Sequence, residues 1–370
     1  MTSIKKTDQE KEFEFASQWQ LIWRSFRQHR AAMICGIIIG VMYLSAIFAP
    51  FVAPYDPQYR HRGFVYAPPQ RVHFSVDAGF SIRPHVYRLT SELDMDTFER
   101  RYAVDTDVSY PLYFLVRGQP YKLWGLFRTD IRLFGTSEGG HVFLFGTDGL
   151  GRDLFTRVIH GGTISMSIGL VGVFFSFVFG LMFGGVSGYF GGKVDEAIQR
   201  MIEILRSFPR IPLWMAFSAA LPGDWSPIRI YFSITLILSL VGWTELARVT
   251  RGKVLSLKNE DFVMAARISG TSEFVIIARH LIPSFISHII AAITLAIPQM
   301  ILAETALSFL GVGLRPPVVS WGVLLQTAQN VHTVAMAPWL MIPGVFVIIY
   351  VMAFNFLGDG FRDAADPYAN

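Results

Sequence analysis

The sequence has little cysteine and little charge. One cysteine, Cys35, stands among 370 residues, so no disulfide can form within the chain and nothing points to redox chemistry. Asp, Glu, Lys and Arg together make up 16% of the chain, against roughly 25% in a soluble domain. No glycine-rich loop ends in Gly-Lys-Ser/Thr, which excludes ATP hydrolysis by this chain. His141, His160, His280, His288 and His332 are scattered without metal-site spacing. The formal net charge of +4 describes the edges of a membrane protein and makes no case for nucleic acid.

What the sequence does have is apolar length. Apolar residues make up 52% and aromatics 14%, and the mean hydropathy is positive. Windows of about 20 apolar residues cross the hydrocarbon core as helices, because only internal hydrogen bonds satisfy a backbone in lipid. Five windows qualify: Ala31 to Val52, Ser165 to Phe190, Ile230 to Leu246, Phe285 to Leu310 and Trp339 to Leu357. A sixth, around Ile202 to Leu221, is interrupted by Arg206, Pro209, Arg210 and Pro212. The first window follows Arg24, Arg27 and Arg30 but is too long for a signal peptide and lacks a small-residue cleavage pattern, so it reads as a retained anchor. Six crossings with these arginines inside put both termini in the cytoplasm.

Residues 1–30 turn amphipathic around Phe15, Trp19, Trp23 and Phe26, the pattern of a short interfacial helix. Residues 31–53 form the first span, and 54–144 read as a small folded extracytoplasmic insertion, mixed α/β or β-rich. Its closely spaced prolines exclude long helices, while YPLYFLV at 110–116 and HVFLF at 141–145 suit strands. Tyr59, Phe64, Tyr66, Tyr110, Tyr113, Tyr121 and Trp124 are the expected core of this insertion. Residues 145–370 hold the other spans. Gly180, Gly184, Gly188 and Gly192, four apart, lay one helix face open to a close neighbour.

Between two spans lies a polar, basic interval at 248–283. Glu260 to Ile268 reads as a short helix, Ser269-Gly270 as a break, and Ser272 to Leu281 as a second helix ended by Pro283. Phe262, Ala265, Ala266 and Ser269 give the first piece a mostly small surface suited to a shallow groove. A loop of this kind is shaped to meet another protein.

DFVMAARISGTSEFVIIARHLIPSF resembles the EAA loop of ATP-binding-cassette importer permeases of the dipeptide, oligopeptide and nickel group. FGTDGLGRDLFTRVIHGGTISMSIG at 145–169, DEAIQRMIEILRSFPRIP at 195–212, ETALSFLGVGLRPPVVSWG at 304–322 and AFNFLGDGFRDAADP at 353–367 follow in the family's order. The resemblance implies an all-α polytopic membrane protein with six transmembrane helices of the type I importer permease fold, in a bacterial inner membrane. It further implies a second homologous permease subunit, two cytoplasmic ATPase subunits that use ATP and Mg, and an extracytoplasmic solute-binding protein. By position, Ala265, Ala266 and Gly270 carry the coupling to the ATPase. The family's glutamate is replaced by Met264, which leaves its acidic contact absent or displaced to Asp261. Thr163 stands where many relatives have arginine.

Four further residues are candidates for the pathway or an interface. Glu304 and Glu245 are ionisable groups within spans, where each needs a polar partner or an aqueous path. Asp148 and Arg152 precede a span and suit helix positioning or solute contact. Asp195, Arg200 and Arg206 read as a cytoplasmic brace. The resemblance favours peptides as the transported solute, with oligosaccharides or nickel chelates as alternatives for the same machinery, and a different class of function, an ion-coupled secondary transporter, would place coupling on the charged spans.

Overall fold

A computed structural model describes residues 23, 25–76, 79–93, 95, 100–136 and 139–365. In chain order its main elements are α1 (Arg30–Ile47), β1 (His73–Val76), β2 (Gly79–Leu93), β3 (Arg100–Leu123), β4 (Phe127–Thr136), α2 (Leu154–Phe190), α3 (Gly192–Ser207), α4 (Arg210–Ala219), α5 (Pro227–Leu257), α6 (Asp261–Ile268), α7 (Ile286–Phe309), α8 (Trp321–Gln326) and α9 (Ile342–Ala365). The interfacial helix expected at residues 1–30 falls largely outside the described residues. Of its aromatics, Phe26 is buried and stacks on Phe361 of α9, with ring centroids 4.5 Å apart.

Among the described residues, five helices are long and apolar enough to cross a membrane: α1, α2, α5, α7 and the segment Pro338–Ala364 that contains α9. The α2 helix begins well before the window read from hydropathy, because Asp153 caps it by accepting a 2.8 Å bond from the Thr156 amide. It ends at Gly191, whose φ of +66° suits glycine.

The expected sixth crossing does not form one continuous helix. Asp195 of α3 meets Arg251 near the end of α5, while Tyr231 near the start of α5 meets Ser167 of α2. The chain between must therefore traverse the bundle. It does so in two pieces, with extended backbone at Phe208 and Pro209. Pro209 has no amide hydrogen to continue a ladder and Arg206 and Arg210 hold the break polar. At 1.5 Å per residue, α4 spans only about 15 Å.

The bundle is organised by the contact of α2 with α5. Gly180, Gly184 and Gly188 face α5, and a Cβ on Gly184 would collide with the Ala247 carbonyl oxygen and the Thr250 side chain. Gly192, the fourth of the series, instead lies past the helix end with φ +54° and faces open space. Around this axis Leu154, Val158, Met166 and Ile168 of α2 pack with Leu238, Ile301, Trp321 and Tyr350. The Trp321 indole donates to the Val158 carbonyl at 3.0 Å, and the Tyr43 and Tyr350 hydroxyls share a 2.7 Å bond that ties α1 to α9.

The insertion is an antiparallel sheet in the order β1-β2-β3-β4. The long β3 pairs with β2 through its first half and with β4 through its second, bending near Leu115, where φ is +56°. Residues 110–116 lie in β3 as the pattern indicates, but 141–145 do not form a strand. Side chains satisfy that segment instead: the Val142 amide donates to the Tyr55 hydroxyl at 2.9 Å and the Phe143 amide to Gln70 Oε1 at 2.7 Å. The sheet's core also differs from expectation. Val86, Leu89, Leu112, Val142 and Phe143 are buried, whereas Tyr113 is turned outward by strand alternation, and Tyr59, in the irregular segment before β1, and Trp124, in the turn after β3, are also exposed.

Arg132 of β4 fastens the sheet to the bundle. Its buried guanidinium donates to the carbonyls of Ala53 and Tyr55, both at 2.9 Å, just past the end of α1. Burial draws its pKa below the ordinary arginine value. We expect Gly184→Val to destabilise the purified protein by about 3 kcal/mol through overpacking. Gly40→Val, where a Cβ meets no neighbour, should leave the unfolding temperature near that of the wild type.

Candidate functional site

Two places combine accessibility with chemistry. One is a cavity of about 850 Å³ enclosed by α2, α4, α5 and α7. Its wall is mostly apolar, with Val173, Leu238, Ile293 and Met300 among its lining, and polar groups enter at Ser176, Arg210, Trp214, Glu245 and Gln299. Glu245 accepts a 2.9 Å bond from Arg206, and Arg210 stands 3.9 Å from the same carboxylate oxygen. Ser176 Oγ and Trp214 Nε1 are buried without a hydrogen-bond partner. Apolar walls carrying a few unsatisfied polar atoms are the chemistry of a cavity that receives water or solute.

Of the other ionisable candidates, none lines this cavity. Glu304 is fully buried and accepts from Ser165 at 3.0 Å, Ser308 at 2.9 Å and Ser320 at 2.8 Å. Ser320 also caps α8 by accepting from the Val323 amide, so one carboxylate ties α2, α7 and α8 together. Asp148 and Arg152 sit at the end of the bundle that carries the sheet. Asp148 Oδ2 accepts from Arg152 at 2.8 Å and from Arg157 at 2.9 Å, and its Oδ1 accepts from the Leu150 and Arg152 amides. This is a buried brace at the start of α2. Arg157, which completes it, was not singled out from sequence; its place one turn into an apolar helix was the available signal.

Beside the brace, Asp153 is buried and its pKa is pushed up to about 7 by desolvation, against hydrogen bonds from Thr156 that lower it. Its Oδ1 has no partner. A carboxyl with a raised folded pKa binds more protons folded than unfolded between its ordinary value and 7, so its contribution to stability is lost as pH rises through that window.

The second place is the loop at the opposite end of the bundle. The α6 helix ends in a Schellman turn: the Thr271 amide donates to the Ala266 carbonyl at 3.2 Å and the Gly270 amide to Arg267 at 3.0 Å, with Gly270 at φ +75°. Val263 and Ala266 turn inward onto Val254, Ile276, Ile277 and Leu281. Ala266 therefore packs against its own chain, while Asp261, Ala265 and Gly270 are exposed. The outward surface is less small than the sequence indicates. Ile268 is 85% exposed and Phe274 68%, with Phe262 and Met264 beside them. Ile268 follows from helical spacing, since it shares a face with Met264 and opposes Val263 and Ala266.

The loop's second piece also departs from expectation. Glu273–Val275 is helical, Ile276–Leu281 widens to a π-helix, and Ile282–Ser284 continues helically across Pro283. Proline is tolerated there because it occupies the first turn of a new helical piece. The break falls at Phe285, with φ −125°.

Two polar contacts tie the elements together at this end. Arg267 donates to the Tyr189 hydroxyl at 3.1 Å with its guanidinium 5.5 Å from the ring centre, holding α6 to the end of α2. Arg251 of α5 donates to Asp195 of α3 at 2.6 Å, and this bond holds the Asp195 carboxylate below its ordinary pKa. The Arg267 bond thus links α6 to α2, the Arg251 pair links α5 to α3, and α6 reaches α5 by packing Val263 and Ala266 against Val254. Thr163, in the position of the family's arginine, donates instead to the Ala46 carbonyl at 2.8 Å and joins α2 to α1.

The family described as binding-protein-dependent transport system inner membrane component matches residues 176–369. The chain belongs to this family. The N-terminal transmembrane domain of oligopeptide transport permease C matches residues 17–69. The oligopeptide transport system permease protein OppC of Haemophilus influenzae is 42% identical over 63% of this chain and 72% of its own length. The dipeptide permease DppC of Bacillus subtilis is 38% identical over 60% of this chain and 68% of its own. OppC of Escherichia coli K12 is 41% identical over 62% and 73%. A chain of the MetNI methionine ABC transporter in inward-facing form is 19% identical, with a TM-score of 0.46, and covers 58% of this chain and 98% of its own. The protein is an inner-membrane permease component.

In this permease, Glu304→Gln should fold normally, while Glu304→Leu, which strands three buried hydroxyls, should cost about 1–3 kcal/mol. Asp153→Asn retains the cap and removes the titration. Its unfolding temperature relative to wild type should rise as the pH goes from 5 to 8, measured by fluorescence in detergent.

Proposed function

We propose that this permease is one of two homologous membrane subunits of an ATP-driven peptide importer. Two cytoplasmic ATPase subunits, binding ATP and Mg, drive it, and an extracytoplasmic binding protein delivers solute. The observation that carries the reading is the mechanical continuity from the exposed face of α6, through the Arg267–Tyr189 bond to α2 and through the packing of Val263 and Ala266 on Val254 to α5, to the two helices that wall the cavity. Peptide is favoured as the solute because the similar relatives are oligopeptide and dipeptide permeases. The cavity's apolar wall suits side chains of varied shape, and Glu245 with Arg210 offers opposite charges to the two peptide termini.

Arg30 and the basic residues around 248–279 share the loop end of the bundle, and the positive-inside tendency puts that end, with both termini, in the cytoplasm. The sheet then faces outward, on the side where a binding protein docks. On the inner side, Ile268, Ala265 and Asp261 meet the ATPase, and Gly270 and Ala266 set the shape that presents them. Met264 lies on the same exposed face and brings an apolar contact where relatives carry an acid.

The test uses the complex purified through a tag on this chain and reconstituted with its binding protein and a labelled peptide. Ile268→Asp should lose ATPase capture and ATP-dependent uptake together. Val331→Asp, equally exposed but at the opposite end, should keep both. Glu245→Leu, which leaves Arg206 and Arg210 unpaired, should retain ATPase capture and lose uptake. Full uptake by the Ile268 variant would sink the coupling role.

A further inference from the structure

The turn between β3 and β4 carries an apolar tip that neither the bundle nor the sheet covers. Leu123 pairs with Phe127 across it, and Trp124, Gly125 and Leu126 close the hairpin. Leu126 is 78% exposed, Phe127 61% and Trp124 53%. Hairpin tips in water are ordinarily polar, built from Asn, Asp and Gly. Here Trp124 also holds a left-handed backbone, with φ +52° beside Gly125 at +73°. A bulky residue in that region is costly, and such a cost points to a function for the residue held there.

The position of the tip supplies the reason. The Trp124 indole donates to the Ile47 carbonyl at 2.9 Å, and its ring lies 5.3 Å from that of Phe48. Ile47 ends α1, whose 18 residues make a helix about 27 Å long, close to the hydrocarbon thickness. The tip therefore sits level with the boundary between acyl chains and headgroups. It also continues an uncovered stripe of α1, formed by Ile34, Ile37, Val41, Leu44 and Ile47, all exposed. Behind the tip, Lys122 and Arg128 are cross-strand neighbours, both exposed, at the height where phosphates lie. Apolar residues at the end, an indole at the boundary and cations one step behind are the layering of an interfacial anchor.

We propose that this hairpin tip inserts into the membrane leaflet at the sheet end of the bundle, with Trp124, Leu126 and Phe127 among the upper acyl chains and Lys122 and Arg128 on lipid phosphates. Lipid contact at the tip thereby adds to the fastening that Trp124 and Arg132 make with the residues ending and following α1.

The test uses the full chain in phospholipid nanodiscs, with Cys35→Ser and a single cysteine replacing Leu126, labelled with an environment-sensitive fluorophore. Lipids carrying a nitroxide near the top of the acyl chain should quench most of its emission, and aqueous iodide little. The same label at Asp107, exposed farther back on β3, should show the reverse. In a Trp124→Asn background, which suits the left-handed backbone but loses the indole, lipid quenching at position 126 should fall. Quenching at 126 by iodide and not by lipid overturns the proposal. Protection from both also overturns it, since a protein surface would then cover the tip.

Discussion

The close approach of α2 and α5 is the constraint on which the rest depends. Two apolar helices in lipid gain little hydrophobic energy from meeting, so their contact rests on dispersion at short range, and glycine permits that range. Gly184 lies against the backbone of Ala247, and toward the sheet end the two helices stay in contact, with Ser239 donating to the Gly172 carbonyl at 3.0 Å and Tyr231 to Ser167 at 3.0 Å. The cavity opens along this line, walled on one side by Val173 and Ser176 and on the other by Leu238 and Glu245. At the loop end the same two helices carry the clamps that hold α3 and α6.

Charge is distributed according to what each site must do. Asp148 and Glu304 are buried with their acceptor capacity filled, by two arginines and by three serines. Fixed partners make them braces: two arginines compensate Asp148, and three hydroxyls fix the orientation of Glu304. Glu245 differs. It is largely exposed within the cavity and held by one close arginine and one distant one, so it can exchange partners at small cost. The proposed transport of peptides would use polar groups of that weakly committed kind.

The insertion solves a separate problem. A small sheet standing on a membrane bundle has two faces and two free edges to satisfy. Its inner core is built from Val86, Leu112 and Phe143, and its fastening from carbonyls gathered by Arg132, a residue whose five donors and fixed charge allow it to collect several acceptors at once. Thr147 completes the joint by accepting from the Ala67 amide at 2.7 Å, directly ahead of the α2 cap.

Much of the architecture is legible in the sequence because its physical cause is local. Apolar length identifies five crossings, although it starts the second at Ser165 where α2 begins at Leu154, and Ser269-Gly270 marks the turn after α6, since each depends on residues a few positions apart. The glycine series at 180–188 likewise announces a close neighbour without naming it. Residues whose meaning lies in distant partners are silent. Nothing near Glu304 in sequence assigns it to Ser165 and Ser320, nothing near Arg132 sends it to Ala53, and Ala266 and Ala265 are indistinguishable until the bundle covers one of them. Trp124 reads as a core aromatic, and only its placement beside Ile47 puts it at the rim. The sequence by itself determined which five segments are long and apolar enough to cross the membrane, because the bilayer acts on each segment separately. Which side chains face the cavity, brace the bundle or remain free to meet a partner was decided by tertiary structure alone, because burial and hydrogen bonding are properties of neighbours that the chain brings from far apart.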